Sequence, residues 1–184
     1  MESVLYKDDD YTIDDLDNLA DGQRAELIDG EIFLMASPTP EHQELVVALL
    51  SYIHNYLNGK HGPCKAYTAP LDVYLDAKKT RKHVVQPDIF VLCDPDKKQD
   101  KCILGAPDWV IEVASPSTAS KDRLLKAYWY EMFGVKEYWV VNRTTEEVLI
   151  YVYGDHPSSN TYTIDDEIAP TIYPDLKIRI RELI

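Results

Sequence analysis

The 184-residue chain lacks any apolar stretch near the roughly 20 residues that a membrane-spanning helix needs. Its longest run, Val46-Val47-Ala48-Leu49-Leu50, is soon interrupted by polar residues, so no membrane association is expected. The opening residues Met1-Glu2-Ser3-Val4 lack the basic and then apolar order of a signal peptide. Cysteine is scarce: Cys64, Cys93 and Cys102 are odd in number, widely spaced and without a Cys-x-x-Cys pair. That predicts reduced thiols in a cytoplasmic protein and argues against a disulfide framework or a zinc site. His42, His54, His61, His83 and His156 show no His-x-x-x-His spacing, which speaks against a zinc hydrolase. No Gly-x-Ser-x-Gly elbow is present, so Ser115 and Ser117 are not expected to be nucleophiles; Ser117 reads as a helix cap.

Basic residues are also in short supply. The chain has 19 Lys and Arg against 32 Asp and Glu, a net charge of −13, the wrong sign for a protein that coats nucleic acid. The deficit is uneven: residues 1–21 hold eight acids and the single base Lys7, leaving −6 for all the rest. Bases recur at Lys78, Lys79, Arg81 and Lys82, then at Lys121, Arg123 and Lys126, where a binding face could lie. Hydrophobic residues at 45% and charged residues at 28% are ordinary for a globular protein. No repeat, low-complexity run or linker divides the chain, so one domain over 1–184 is expected, with an acidic segment 1–21.

What is present is a strong alternation of strand and helix patterns. Thr12-x-x-Asp15 predicts a helix start and a short helix through about Leu19. Asp29-Gly30 between Ala25-Glu26-Leu27-Ile28 and Glu31-Ile32-Phe33-Leu34-Met35 predicts a hairpin, because the tight turn needs positive φ at both positions. Leu45, Leu49, Ile53, Tyr56 and Leu57 mark a long amphipathic helix from Glu41 to Asn58. Further strands are predicted at 64–68, 71–75, 88–92, 108–114, 137–141, 147–153 and 176–180, with Lys78 to Lys82 a charged turn. A second helix begins at Ser117 and ends near Phe133-Gly134, glycine suiting a left-handed cap. Segment 108–141 then forms a strand–helix–strand crossover, and the whole reads as α/β, a mixed central β-sheet flanked by helices.

The chemistry concentrates between Gln86 and Tyr130. Pro87-Asp88 opens the apolar strand Ile89-Phe90-Val91-Leu92, and Glu112 interrupts another, Trp109-Val110-Ile111-Glu112-Val113-Ala114. A carboxylate inside a buried strand is costly unless it is paired or binds a cation. On neighbouring strands, Asp88 and Glu112 could face one partly hydrated divalent ion, as Mg²⁺ prefers. Such an ion polarises a phosphodiester and activates the attacking water. Asp122, Lys126 and Tyr130 are four apart and share one helix face, while Leu125, Trp129 and Met132 form a separate, core-facing stripe.

Pro87-Asp88 followed by Glu112-x-Ala114 resembles the PD-(D/E)XK nuclease signature, with alanine where lysine usually stands. The string Glu112-Val-Ala-Ser-Pro-Ser-Thr118, then Asp122-x-x-x-Lys126-x-x-x-Tyr130 and Gly134-Val-Lys-Glu-Tyr-Trp139, resembles the Uma-two family of that superfamily. Glu26-Leu-Ile-Asp-Gly-Glu31 and Ser37-Pro-x-x-x-Glu-His-Gln43 fit the same pattern. The resemblance implies a restriction-endonuclease-like fold and a Mg²⁺- or Mn²⁺-dependent endonuclease acting on DNA. It implies Asp88 and Glu112 as metal ligands, Lys126 as a lysine moved to the following helix to stabilise developing charge, and Glu26 as an added acid. His42 or Glu41 would contact substrate, Gln86 would orient a ligand, and Asp122 and Tyr130 would support Lys126. Cutting both strands of a duplex would call for a homodimer. The acidic balance and Ala114 favour an alternative, a catalytically silent nucleic-acid or protein-binding module on the same fold. A third reading is a hydrolase of another phosphoester.

Overall fold

Local pattern and tertiary pairing together produce three α-helices and twelve strands among the described residues, which are 4–5, 10–20, 22–76, 82–114 and 121–184 of a computed structural model. Side chains of 121–123 are outside that description. In chain order the elements are β1 (Val4–Leu5), α1 (Ile13–Asp17), β2 (Ala25–Ile28), β3 (Glu31–Leu34), α2 (Pro40–Lys60), β4 (Lys65–Thr68) and β5 (Asp72–Tyr74). They continue with β6 (Val84–Val85), β7 (Ile89–Leu92), β8 (Cys102–Leu104), β9 (Trp109–Val113), α3 (Ala127–Phe133), β10 (Glu137–Asn142), β11 (Glu147–Val152) and β12 (Ser158–Thr163). A π-helical turn, Lys121–Lys126, leads directly into α3.

The predicted hairpin forms as β2 and β3, with Asp29 and Gly30 both at positive φ, 53° and 78°. Asp15 starts α1 by accepting both the Thr12 main-chain N–H and its hydroxyl, each at 2.8 Å. Thr39 caps α2 by accepting the His42 N–H, and Pro40 fits the first turn, where no N–H is needed. Gly134 closes α3 at φ 86°, the left-handed position that glycine adopts without strain. The start of the second helix at Ser117, and the bases Lys78, Lys79 and Arg81, lie outside the described residues.

The strands divide between two six-stranded mixed sheets rather than one central sheet. The first runs β1-β3-β2-β6-β5-β8, and the second runs β12-β11-β10-β9-β7-β4. In the second, β9 and β10 are parallel, as the crossover through α3 requires, and every other pair is antiparallel. Leu45, Leu49 and Ile53 of α2 cover one face of this sheet over Ile89, Trp109, Ile111 and Trp139. The opposite face, with Phe90, Val110 and Val140, packs on Tyr130 of α3 and on Ile28, Phe33 and Val73 of the first sheet. The central strands β7, β9 and β10 are therefore buried on both sides, which explains their near-continuous apolar sequences.

Several expectations are corrected. Residues 176–180 make no strand: Ile168 and Ile178 form an isolated bridge, and Ile180–Leu183 is a 3₁₀ turn. Leu176, Ile178 and Ile180 do alternate inward, but onto the α2 side of the core instead of a ladder. The short β1, β6 and β8 and the polar, exposed edge strand β12 carry too little apolar pattern to be read locally. Met132 is 61% exposed and leaves the expected stripe, whereas Leu125 and Trp129 pack partly buried against the core beside the buried Ala127 and Tyr130. Cys64 and Cys93 are joined in a disulfide, contrary to the expected reduced thiols. The pairing of Lys65 with Leu92 sets these flanking cysteines opposite each other, a juxtaposition that 29 residues of separation conceal. This removes the argument for a reducing compartment that rested on unpaired cysteines.

Glu137 is a fully buried carboxylate at the start of β10. It accepts from Trp139 Nε1 at 2.6 Å and from the Thr171 N–H and hydroxyl at 2.7 and 2.5 Å, tying the carboxy-terminal segment to the sheet. Burial is the largest influence on it and raises its pKa above the ordinary 4.5, although these hydrogen bonds pull the other way. The folded chain therefore holds the Glu137 proton more tightly than the unfolded chain does. Its stabilising contribution is complete below about 4.5 and declines as pH rises through the elevated value. Urea unfolding across this range should show the gap between wild type and Glu137→Gln narrowing with rising pH; a pH-independent gap would refute it.

Candidate active site

The register of β7 against β9 pairs Ile89 with Ile111, so the residue before β7, Asp88, stands across from Glu112. The Asp88 N–H donates to Glu112 Oε2 at 3.2 Å, and the Val113 N–H donates to Asp88 Oδ2 at 2.9 Å. Thr68 fixes the same main chain by donating its hydroxyl to the Asp88 carbonyl at 2.7 Å. Along β9, Trp109, Ile111 and Val113 face α2, whereas Val110 and Ala114 face α3 and the first sheet. Strand alternation therefore turns Glu112 toward α3.

There Lys126 meets it. Lys126 Nζ donates to Glu112 Oε1 at 2.6 Å and to Glu26 Oε1 at 2.9 Å, and the Tyr130 hydroxyl donates to Glu112 Oε1 at 3.1 Å. Glu26 comes from β2, two residues before inward-facing Ile28, so the lysine bridges the two sheets. All three charged groups are buried, Glu26 at 0% exposed and Glu112 and Lys126 at 4% each. The spacing of four between Lys126 and Tyr130 points both at one carboxylate, as one helix face requires.

A second layer braces the first. Glu26 Oε1 also accepts the Gln86 N–H at 3.0 Å. The Gln86 side chain accepts from Arg24 at 2.9 and 3.1 Å and donates to Asp72 Oδ1 at 2.8 Å. Gln86, expected to orient a ligand, is thus held within the protein. His42, expected to contact substrate, has Nε2 3.1 Å from Asp88 Oδ2. Glu26, expected as an additional acid, faces Lys126. The side chains of Asp122, Lys121 and Arg123 lie outside the described residues. Arg24 and Asp72 had no signal in the sequence beyond being polar residues beside apolar strands.

Asp88, Glu112 and Glu26 with one ammonium leave two negative charges in a largely buried cluster. That matches the charge of one divalent cation, and the donors are the hard oxygens that Mg²⁺ and Mn²⁺ take. Among the described residues, no three acidic, histidine or cysteine side chains gather as a ligand set. Asp88 and Glu112 present carboxylate oxygens of the kind that Mg²⁺ takes while keeping several of its waters.

A protein-family model described as Uma2, "Putative restriction endonuclease", matches residues 11–180. The chain is 28% identical over 134 residues to the uncharacterized protein slr1290 of Synechocystis sp., covering 72% of this chain and 68% of that protein. Its fold is similar to a crystal structure from Anabaena variabilis described as a putative nuclease belonging to DUF820. That likeness has a TM-score of 0.75 at 20% identity and covers 94% of this chain and 96% of the other.

Proposed function

Because this chain belongs to the Uma2 family, we propose that it is a Mg²⁺- or Mn²⁺-dependent endonuclease that hydrolyses DNA phosphodiesters. The observation that carries this reading is the meeting of Asp88, just before β7, Glu112 of β9 and Lys126 of the π-helical turn. Asp88 and Glu112 would hold the ion, which supplies Lewis-acid polarisation of the phosphodiester and a more acidic bound water.

The chain's own groups do the rest. The Val113 N–H and His42 fix the Asp88 carboxylate, and Tyr130 and Lys126 fix that of Glu112. Lys126 holds a positive charge beside the carboxylate pair, where negative charge develops on the phosphoryl oxygens; Glu26 sets its position from the far side. The Lys126 ammonium contacts both Glu26 and Glu112, which hold it at the carboxylate pair. Two copies acting together would cut both strands of a duplex.

One observation favours a second reading, a non-catalytic binding module: the only lysine at the carboxylate pair among the described residues is itself paired with two acids. The test is plasmid nicking with Mg²⁺, Mn²⁺ or EDTA, beside calorimetric titration of Mn²⁺. Metal-dependent cleavage that EDTA stops is the expected result. Mn²⁺ binding without cleavage would support the module, and neither binding nor cleavage would refute the nuclease.

A further inference from the structure

A sheet edge presents unpaired N–H and C=O groups to which another strand can add, and proteins blunt such edges with charge, proline, shortness or a covering element. Of the four sheet edges among the described residues, three are blunted in these ways. β1 and β8 have only two and three residues, and β4 carries Lys65 and lies against α2. The fourth, β12, has six residues, is exposed throughout and carries no charge. It pairs with β11 residue for residue, from Val152 with Ser158 to Glu147 with Thr163, without a bulge.

The Thr163 N–H donates to Asp166 Oδ2 at 2.7 Å, and its carbonyl accepts the Asp166 N–H at 3.1 Å, so Thr163 turns its main chain away from β11. The next residue turns the other way, the Ile164 N–H donating to the Glu146 carbonyl at 3.1 Å. Alternation along the strand then directs the main-chain groups of Ser159 and Thr161 outward, and those of Ser158, Asn160 and Tyr162 toward β11. Among the described residues, none hydrogen-bonds to the outward groups of Ser159 or Thr161. This open stretch is closed at both ends. Asp166 occupies the groups of Thr163, and Pro157, just before β12, has no N–H to give.

The outward donors and acceptors therefore lie symmetrically about Asn160, and the pattern is its own complement. A second β12, antiparallel and turned about a twofold axis at Asn160, sets Ser159 against the partner's Thr161 and Thr161 against the partner's Ser159. Both are hydrogen-bonding positions, with Asn160 facing the partner's Asn160 at the narrow pair between them. A longer foreign strand gains nothing beyond this window, whereas a second copy matches it in register. Two copies of net charge −13 repel, and an uncharged strand adds nothing to that repulsion at the contact.

We propose that β12 is a dimerisation edge, pairing antiparallel with β12 of a second copy about Asn160 and joining their two six-stranded sheets into one. The inference is independent of phosphodiester cleavage, and its failure would leave the carboxylate site as described.

One pair of short strands is a small interface beside the roughly 1,200 Å² of stable complexes, so the dimer should be weak, half-formed between about 1 μM and 1 mM. Sedimentation velocity over that range measures it. Thr161→Pro removes an outward N–H from each copy and no bond to β11, so it should weaken association at least about tenfold with little change in thermal midpoint. Asn160→Lys sets like charges face to face and should weaken association as much, which keeps the test decisive if the proline variant fails to fold. Asn160→Cys should join to its own copy when oxidised glutathione takes up the electrons of the two thiols, because facing residues of a narrow pair lie within disulfide reach. Wild type, whose unpaired thiol is Cys102, should cross-link far less. The proposal is overturned by a monomer throughout, by undiminished association in either folded variant, or by Asn160→Cys cross-linking no more than wild type.

Discussion

Lys126→Met lowers the unfolding free energy by about 3–5 kcal/mol, the usual cost of removing one partner from a buried ion pair. The ammonium is 4% exposed and separates two carboxylates, Glu26 and Glu112, that it contacts at 2.9 and 2.6 Å. Methionine nearly preserves the volume but leaves two like charges facing across a low-dielectric gap, so one must take up a proton. Stability of the variant should therefore recover as pH falls toward the carboxylate range. Adding Glu26→Gln should restore part of the loss at neutral pH, because one of the two charges is gone. Urea unfolding of the three proteins at neutral and mildly acidic pH measures this; a Lys126→Met midpoint equal to wild type would defeat the account. The Lys126 contacts also join β2 of one sheet to β9 of the other, so this loss concerns how the sheets are held together as well as chemistry.

Asp88→Asn has the opposite profile, a small effect on folding and a large one on activity. An asparagine oxygen can still accept the Val113 N–H that now reaches Asp88 Oδ2 at 2.9 Å. Stability should thus change by about 1 kcal/mol or less. Removal of the charge weakens the hold on a divalent ion and the electrostatic support of the transition state, for which a loss on the order of 10²–10³-fold in single-turnover cleavage is expected. Mn²⁺ affinity should fall in the same variant. Unchanged cleavage together with unchanged Mn²⁺ affinity would remove Asp88 from the proposed site. The paired measurement matters because Lys126→Met can lose activity through unfolding alone.

Much of this was legible without coordinates. Asp29-Gly30 dictates its hairpin because only a few residue types tolerate two successive positive φ values, and they occur together there. The periodicity of Leu45, Leu49 and Ile53 defines the buried side of α2, and Gly134 defines the end of α3. Glu112 stood out because an acid among Trp109, Val110, Ile111 and Val113 conflicts with burial unless something compensates it. The compensating partner, Lys126, was legible only through its four-residue spacing to Tyr130 and the resemblance to a known family. Met132 misled because an apolar residue on a short helix need not face inward when Ala127 and Tyr130 already supply the contact.

By itself, then, the sequence determined the strand and helix patterns, the turn chemistry and the residues whose burial would demand a partner. These are properties of neighbours along the chain, written in periods of two and of 3.6 residues. Tertiary structure alone decided that Glu26 faces Lys126, that His42 contacts Asp88, that Gln86 is held by Arg24 and Asp72, and that Cys64 meets Cys93. Each of those pairings depends on strand register or on the approach of separate elements, and a slip of one residue in a strand would turn its side chains to the other face. Such relations leave no local trace, so the identity of the candidate residues preceded the fold while their partners followed from it.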